Sequence, residues 1–210
     1  MNNYIITISR GYGSGGRVIG KKLAKELKIP YYDNEILKMA SEESGINEAL
    51  FAKNDEKING FNFLRALPKK GAFDGELIPP SKRDFVSEEN LFNYNAHILR
   101  ALSEKESFIV IGRAADYILD GFPNLVRVHI HAPFENCVKT VSEMFSLDEK
   151  EAKKRIKSTD KQRADFYKYY TGSKWDDPDN YDLILNSAKI GWDNCVKLIE
   201  EYVKIKCQNK

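Results

Sequence analysis

The sequence predicts an α/β protein built on a parallel β-sheet with helices on both faces. Short apolar segments typical of buried strands alternate with longer segments typical of helices. This alternation favours a parallel sheet, because neighbouring parallel strands need a crossover helix between them. A chain of 210 residues with 42% hydrophobic content can bury one full core. We therefore predict a single three-layer domain over residues 1–210, with five parallel strands.

Five apolar segments are expected to form the sheet. In chain order they are Tyr4–Ser9, Pro30–Tyr32, Phe108–Ile111, Leu125–Ile130 and Leu183–Leu185. Helices are expected between and after them. They are Val18–Leu27, a helix from Ser87 to about Ser103, a long charged helix opened by a capping box at Ser146, and a helix from Gly191 to about Lys204.

One long segment, Phe51–Phe85, does not fit this pattern. It contains Pro68, Gly71, Gly75, Pro79 and Pro80 among aromatic and lysine side chains, which predicts irregular structure. Long irregular segments in compact domains are often functional or mobile. Two interpretations stay open: a region that covers the substrate, and a plain surface excursion.

A glycine-rich run follows the first strand and precedes the first helix. Gly11 and Gly16 have the spacing of a phosphate-binding P-loop, GxxxxGK followed by Ser or Thr. Such a loop turns its backbone N–H groups toward a phosphate, and the helix that follows adds the positive end of its dipole. Arg17 stands at the lysine position, and Val18 stands at the Ser/Thr position, where it cannot bind a metal.

The candidate phosphate-binding residues are therefore the whole loop. They are Gly11, Tyr12, Gly13, Ser14, Gly15, Gly16, Arg17 and Val18. The alternative is a glycine-rich turn that only joins a strand to a helix. A dinucleotide-binding fold is disfavoured, because no acidic residue ends a second strand about 20 residues further on.

Composition excludes several classes of function. The net charge of +2 gives no electrostatic argument for binding to nucleic acid or to a membrane surface. No apolar run approaches the roughly 20 residues that span a bilayer, and the N-terminus has no signal-peptide pattern. The three cysteines include no CxxC pair, as expected of reduced thiols. We predict a cytoplasmic protein with no membrane or nucleic-acid partner, either monomeric or homodimeric.

Three polar residues follow strands at the edge where α/β proteins bind ligands. Arg113 comes directly after the third strand, and its guanidinium suits bidentate phosphate binding. Asp33 follows the second strand, as a site residue, a helix N-cap or both. Asp116 lies one turn after Arg113 and either orients it, contacts a base or sugar, or forms a surface pair.

The charged helix after Ser146 carries further candidates. Most of its cations are expected on a solvated face. Arg155 and Arg163 are eight residues apart and should share one face, where Asp160 can hold them. The histidines 97, 129 and 131 are interpreted as structural, with His129 and His131 expected on opposite faces of a strand. We therefore predict no metal-binding residues in the protein itself.

Taken in order, these motifs resemble the cytidylate-kinase-like family of nucleoside monophosphate kinases. The resemblance rests on the loop 5–17, on Tyr31–Asp33, on Ile111–Arg113, and on Tyr169–Trp175 followed by Asn180–Leu183. It covers nearly the whole chain and is weakest between Phe51 and Phe85. Cytidylate kinases carry lysine where this chain has Arg17.

The resemblance implies a P-loop NTPase fold with ATP and Mg²⁺ as cofactors. It implies an acceptor-binding region at 51–86 and a lid at 146–176 that closes over the phosphates. The implied catalytic residues are Arg17, Arg155, Asp160 and Arg163, and the implied substrate-binding residues are Asp33, Arg113, Asp116 and Lys161.

The predicted function is phosphoryl transfer from ATP to a nucleoside monophosphate, with CMP or dCMP favoured. Two alternatives stay open. One is a kinase that acts on another small acceptor, which the weakly matched region 51–85 favours. The other is a nucleotide-binding module without turnover, which Arg17 and Val18 favour.

Overall fold

A computed structural model describes residues 3–56 and 77–208. Its five strands form one parallel sheet in the order β2-β3-β1-β4-β5. The strands are β1 Ile5–Arg10, β2 Tyr31–Tyr32, β3 Phe108–Ile111, β4 Leu125–His131 and β5 Leu183–Asn186. The predicted fold class and all five strands are confirmed, with bounds that differ by one residue at most.

Helices connect the strands and cover both faces of the sheet. The bounds are α1 Gly16–Leu27, α2 Glu35–Ser44, α3 Glu48–Glu56, α4 Glu88–Lys105, α5 Ala115–Ile118, α6 Phe134–Phe145, α7 Glu149–Thr171, α8 Ser187–Ile190 and α9 Trp192–Val203. A 3₁₀ turn at Pro178–Asn180 precedes β5, and a π-helical turn, Lys204–Gln208, follows α9.

The core is divided between the two faces because strand side chains alternate. Ile5, Phe108 and Val110 pack against α2, α4, α5 and α7 on one face. Ile6 and Ile8 pack on the other face, against α1 and α9. A third, smaller cluster joins α6 to α7 through Cys137, Val141, Ala152 and Ile156. This last cluster fixes α7 beside the loop that follows β1.

One prediction about an element end needs correction, and another is confirmed. The long charged helix is capped by Asp148, whose side chain accepts a hydrogen bond from the Glu151 N–H. Ser146 instead ends α6 in a left-handed conformation, with φ 53°. The Ser87 cap of α4 is confirmed, since its hydroxyl accepts from the Asn90 N–H.

The segment predicted to be irregular begins in a helix. Residues 51–56 complete α3, and Phe51 is fully buried against the core. The prediction of irregular structure was wrong for this part, because the buried face of α3 outweighs the breakers further on. Residues 57–76, with Pro68, Gly71 and Gly75, lie outside the described residues. Among those described, no helix is long and apolar enough to cross a bilayer.

The docking of α3 can be tested by Phe51→Ala. Removing a fully buried phenylalanine leaves a cavity and should lower the free energy of unfolding by about 3 kcal/mol or more. The matched control is Leu50→Ala. Leu50 is 38% exposed on the same helix, so its loss should be less than about 1 kcal/mol. Urea unfolding of both variants measures the difference, and equal effects would show that α3 is not docked.

Candidate active site

The carboxyl ends of β1, β3 and β4 meet at one edge of the sheet. The parallel register aligns Ile8 with Ile111 and Arg10 with Ile130, so the residues that follow these strands lie side by side. The glycine-rich loop leaves β1 here, and Gly112 and Arg113 leave β3. Open α/β sheets bind ligands at this edge.

Glycine is required at two positions of the loop. Gly13 and Gly15 have φ angles of 85° and 82°, in the left-handed region that residues with a Cβ resist. A Cβ at position 13 would lie 2.8 Å from the carbonyl oxygen of Cys137. A Cβ at position 15 would overlap the ring of Trp192. The loop is therefore packed tightly against α6 and α9 and holds one shape.

Backbone and serine hydrogen bonds fix that shape. The Gly11 N–H donates to the Ile130 carbonyl at 3.0 Å. The Ser14 hydroxyl is buried and donates to the Gly11 carbonyl at 2.8 Å. The Ser187 hydroxyl donates to the Ser14 carbonyl at 2.6 Å. Ser14 thus holds the loop together from within.

The loop ends at the N-terminus of α1, which has no side-chain cap. The first N–H groups of a helix have no partner within it, and they carry the positive end of the helix dipole. This geometry provides a site for an anion.

Arg17 and Asp33 form a two-point ion pair beside the loop. Arg17 Nε lies 2.7 Å from Asp33 Oδ2, and Nη2 donates to Oδ1 at 3.2 Å. Asn34, rather than Asp33, stands at the N-cap of α2, so capping by Asp33 was a wrong expectation. Both carboxylate oxygens of Asp33 are used to orient Arg17.

Arg113 lies next to this pair. Its Nε donates to the Asp33 carbonyl at 3.0 Å, and Nη2 donates to Asn34 Oδ1 at 3.3 Å. Gly112, Arg113 and Ala114 all have positive φ, at 69°, 61° and 52°. Positive φ in residues with a Cβ costs of order 1 kcal/mol each. This strained backbone places the Arg113 side chain at the cleft.

Asp116 is buried under the same cleft. Its carboxylate accepts a hydrogen bond from the Tyr167 hydroxyl at 2.6 Å. Burial raises the pKa of Asp116, while the hydrogen bond from Tyr167 partly opposes the shift. Asp116 therefore connects α5 to α7.

Two residues of α7 contact the backbone of the glycine-rich loop. The Tyr12 N–H donates to Asp160 Oδ1 at 2.7 Å. Arg163 donates to the Arg10 carbonyl at 2.9 Å and pairs with Asp160 at 3.3 Å. Burial raises the pKa of Asp160 and lowers that of Arg163. These contacts tie α7 to the loop through polar groups that are largely removed from water.

The ring of Tyr12 joins the two predicted arginines. The guanidinium carbons of Arg155 and Arg163 lie 5.7 and 5.5 Å from its centroid, which confirms that they share a face. Arg155 also lies 4.4 Å above the ring of Phe145. Lys161 points elsewhere: it is 73% exposed and pairs with Asp165.

Two cavities open at this edge, on either side of Tyr12. The larger has a volume of about 430 Å³ and lies over Asp33, Arg113 and Asp116, with an aromatic wall of Phe166, Tyr167 and Trp175. The smaller, about 90 Å³, lies along the outer face of the loop against α6. Its lining includes Gly13, Gly15, Gly16, Val18, Met144 and Phe145. The site therefore has room for two groups that meet at the loop.

Comparison with known proteins fits this geometry. The family model described as the cytidylate kinase-like family matches residues 5–189. The chain therefore belongs to the cytidylate kinase-like family. A search of curated proteins gave no match.

Solved structures share the fold of this cytidylate kinase-like chain. An uncharacterized protein from Eubacterium ventriosum is 27% identical, with a TM-score of 0.70, over 96% of this chain and 99% of its own. Shikimate kinase from Bacteroides thetaiotaomicron is 13% identical, with a TM-score of 0.53, over 96% and 98% of the two chains. The second likeness concerns the fold alone. Membership of the cytidylate kinase-like family indicates a kinase-like phosphotransferase.

Sequence reasoning missed several residues that border the larger cavity. Arg10 ends β1 inside it, and Glu48 of α3 and Trp175 lie on its walls. The one available signal was an arginine at the end of a strand that is otherwise uncharged.

A buried polar cluster supports the Trp175 wall. The Tyr181 hydroxyl lies 2.6 Å from the Trp175 carbonyl and 3.1 Å from Ser9 Oγ. His129 Nδ1 lies 3.2 Å from the same Oγ. The rings of His129 and His131 are 6.4 Å apart on one face of β4. Placing them on opposite faces was wrong, because residues i and i+2 of a strand share a face.

The buried state of His129 predicts a pH dependence of stability. Burial, with a smaller contribution from His131, lowers its pKa from the ordinary 6.5 to about 4. The unfolded chain takes up this proton near pH 6.5, whereas the folded protein does so near pH 4. Stability is therefore lost as the pH falls between these values, by about 3 kcal/mol.

The measurement is the free energy of unfolding of the wild type and of His129→Gln at pH 7 and pH 4. The wild type should lose about 3 kcal/mol more than the variant between the two values. Equal losses would mean that the folded protein does not lower the pKa of His129.

Proposed function

We propose that this protein is an ATP-dependent kinase that phosphorylates a nucleoside monophosphate, with CMP or dCMP as the favoured acceptor. The observation that carries the proposal is the pair of cavities that meet at a phosphate-binding loop among arginines. Phosphoryl transfer needs two anions held in line and cations around the transferred group. The family supports a kinase-like activity, and we infer CMP or dCMP as the specific acceptor.

The glycine-rich loop fits the phosphates of ATP. The glycines required at positions 13 and 15 carry no Cβ. The start of α1 has no side-chain cap, so its N–H groups are available to a phosphate. Bound ATP supplies the γ-phosphoryl group, and Mg²⁺ neutralises charge on its oxygens. The loop residues orient the phosphate chain, and Arg17 contributes a fixed positive charge beside it.

The side chains at the site fit Mg²⁺ only as an ion that the phosphate oxygens of the substrate also bind. No group of three His, Cys, Asp or Glu side chains forms a metal site within residues 3–56 and 77–208. Val18 offers no oxygen at the usual Ser/Thr position. Mg²⁺ commonly takes one or two carboxylates, with water and phosphate oxygens as its other ligands. Asp33 is the carboxylate beside the loop, and it fits this role only once it releases Arg17, which now binds both of its oxygens.

The larger cavity suits the acceptor. Arg113 stands at its edge, held in place through Asp33 and Asn34, so that its guanidinium is oriented for a phosphate. The aromatic wall offers planar surfaces to a base. Asp116, held by Tyr167, is the buried carboxyl group on the floor. We assign Asp33, Arg113 and Asp116 to the acceptor and leave Lys161 outside it.

We propose residues 146–176 as the lid. Asp160 and Arg163 hold α7 on the loop, and Arg155 extends the contact through Tyr12. Arg163 then faces both cavities, where a cation stabilises charge on the transferred group. The three cysteines form no disulfide, which agrees with our proposal of a cytoplasmic protein.

One observation favours a second candidate. Arg17 is committed to Asp33 by two hydrogen bonds, whereas a P-loop cation must reach the phosphates. If that pair does not open, the protein is a nucleotide-binding module without turnover. A different small acceptor is the remaining alternative.

An ADP-release assay separates these possibilities. The protein is incubated with ATP, Mg²⁺ and one acceptor at a time: CMP, dCMP, UMP, AMP, GMP or a panel of small hydroxyl compounds. Arg17→Ala is the control. Turnover on CMP or dCMP that falls at least tenfold in the control supports the proposal. Turnover only on a hydroxyl compound supports the other acceptor, and ATP binding by calorimetry without turnover supports the module.

Arg113→Met should specifically weaken acceptor binding. Loss of charge-assisted hydrogen bonds to a phosphate costs about 2–3 kcal/mol, which corresponds to about a hundredfold rise in KM for CMP. KM for ATP should change less than threefold. The matched control is Lys161→Met on the exposed face of α7, which should leave both values within twofold. Equal effects of the two variants on KM for CMP would contradict the assignment of Arg113.

A further inference from the structure

Arg10 occupies the junction of the two cavities. Four residues border both: Arg10, Tyr12, Arg17 and Arg163. Arg17 is held by Asp33, and Arg163 is held by Asp160 and the Arg10 carbonyl. The Nε of Arg10 is buried and, in the part of the chain that the structure describes, has no hydrogen-bond partner. Of the three arginines at the junction, Arg10 is therefore the one without an acidic partner in that part of the chain.

Two glycines make room for the Arg10 side chain. A Cβ at position 16 would meet the Cβ and Cγ of Arg10, and a Cβ at position 112 would overlap its Nη1. Gly16 begins α1 and Gly112 follows β3, so two separate elements leave space for the same side chain. The backbone of Arg10 is fixed as well, because it pairs with Ile130 at the end of β1. The backbone of Arg10 is thus fixed, and its side chain has room to reach the junction of the two cavities.

The carboxylates near Arg10, Asp33 and Asp160, neutralise its charge only in part, because each is paired with another arginine. Burial lowers its pKa well below the ordinary range, and Arg163, Arg17 and Arg113 lower it further. Asp33 opposes this shift but is already paired with Arg17. A desolvated cation without a partner destabilises a folded protein. An anion placed at the junction would relieve that cost.

We propose that Arg10 is a catalytic residue that contacts the transferred phosphoryl group between donor and acceptor. This inference rests on the proposed kinase function. In that reaction the bond from the γ-phosphorus to the β,γ-bridging oxygen breaks, and its electron pair leaves with ADP. A new bond forms from an acceptor phosphate oxygen to the same phosphorus. Arg10 donates hydrogen bonds to the oxygens of the group in transit and loses no proton.

Arg17 and Arg10 then have different tasks. Arg17 stands at the usual lysine position but is 51% exposed and held at the rim by Asp33. Arg10 lies at the end of β1 and is only partly exposed, so an electrostatic contact there is stronger than in open water. The departure from lysine at position 17 is accounted for if Arg10 supplies the inner positive charge.

The test compares Arg10→Met with Arg10→Lys, and uses Arg127→Met as a structural control. Arg127 is a partly buried arginine on β4 that pairs with Asp182 and Asp120. The first readout is the thermal midpoint without anions. The second is the affinity for inorganic tripolyphosphate by calorimetry, which does not require turnover. The third is kcat with ATP, Mg²⁺ and the best acceptor.

The proposal predicts that Arg10→Met raises the thermal midpoint of the anion-free protein, whereas Arg127→Met lowers it. Affinity for tripolyphosphate should fall at least tenfold in Arg10→Met and recover to within threefold of the wild type in Arg10→Lys. The fall in kcat should be at least a hundredfold in Arg10→Met.

The proposal is overturned if Arg10→Met lowers the midpoint as Arg127→Met does and keeps tripolyphosphate affinity within twofold. It is also overturned if the wild type turns over and Arg10→Met keeps kcat within threefold. A wild type that turns over no acceptor refutes the proposed function instead. The loss of tripolyphosphate affinity in Arg10→Met would then still support phosphate binding by Arg10.

Discussion

The arrangement of this site depends on bringing several positive charges together at one end of a parallel sheet. Arg10, Arg17, Arg113 and Arg163 arrive from β1, α1, the β3 loop and α7, and at least two of them are largely removed from water. Like charges at this distance repel, and burial strengthens the repulsion. Asp33 and Asp160 offset part of it through Arg17 and Arg163. A phosphate is the natural complement to the charge that is left.

That constraint explains the local backbone. The glycine-rich loop approaches α6 and α9 too closely for a side chain at positions 13 and 15. The three residues after β3 all have left-handed backbone conformations, and Arg113 is the second of the three. The fold tolerates this backbone strain because β1 and β3 are paired with each other along their length and are buried on both faces of the sheet. The rigid sheet thus holds the charged groups in position before the ligand binds.

Most of the fold follows from local sequence, whereas the site follows only in part. The strands could be predicted because buried parallel strands are mainly apolar. The loop could be predicted because its glycines have a fixed spacing. The helix at the start of residues 51–85 could not be predicted from the sequence, because Phe51 becomes buried only when α3 packs against the core. Arg10 was hidden for a related reason. Its importance lies in the lack of a partner and in the space left by Gly16 and Gly112, and both are properties of the packed structure.

The most direct test of this account is calorimetric titration with a single molecule that links adenosine to cytidine through five phosphates. If the two cavities form one continuous site across the arginines, one molecule should bind per chain, at least a hundredfold more tightly than ATP, and exclude both ATP and CMP. Binding no tighter than ATP, with CMP still able to bind alongside, would contradict the claim that donor and acceptor phosphates meet at this edge of the sheet.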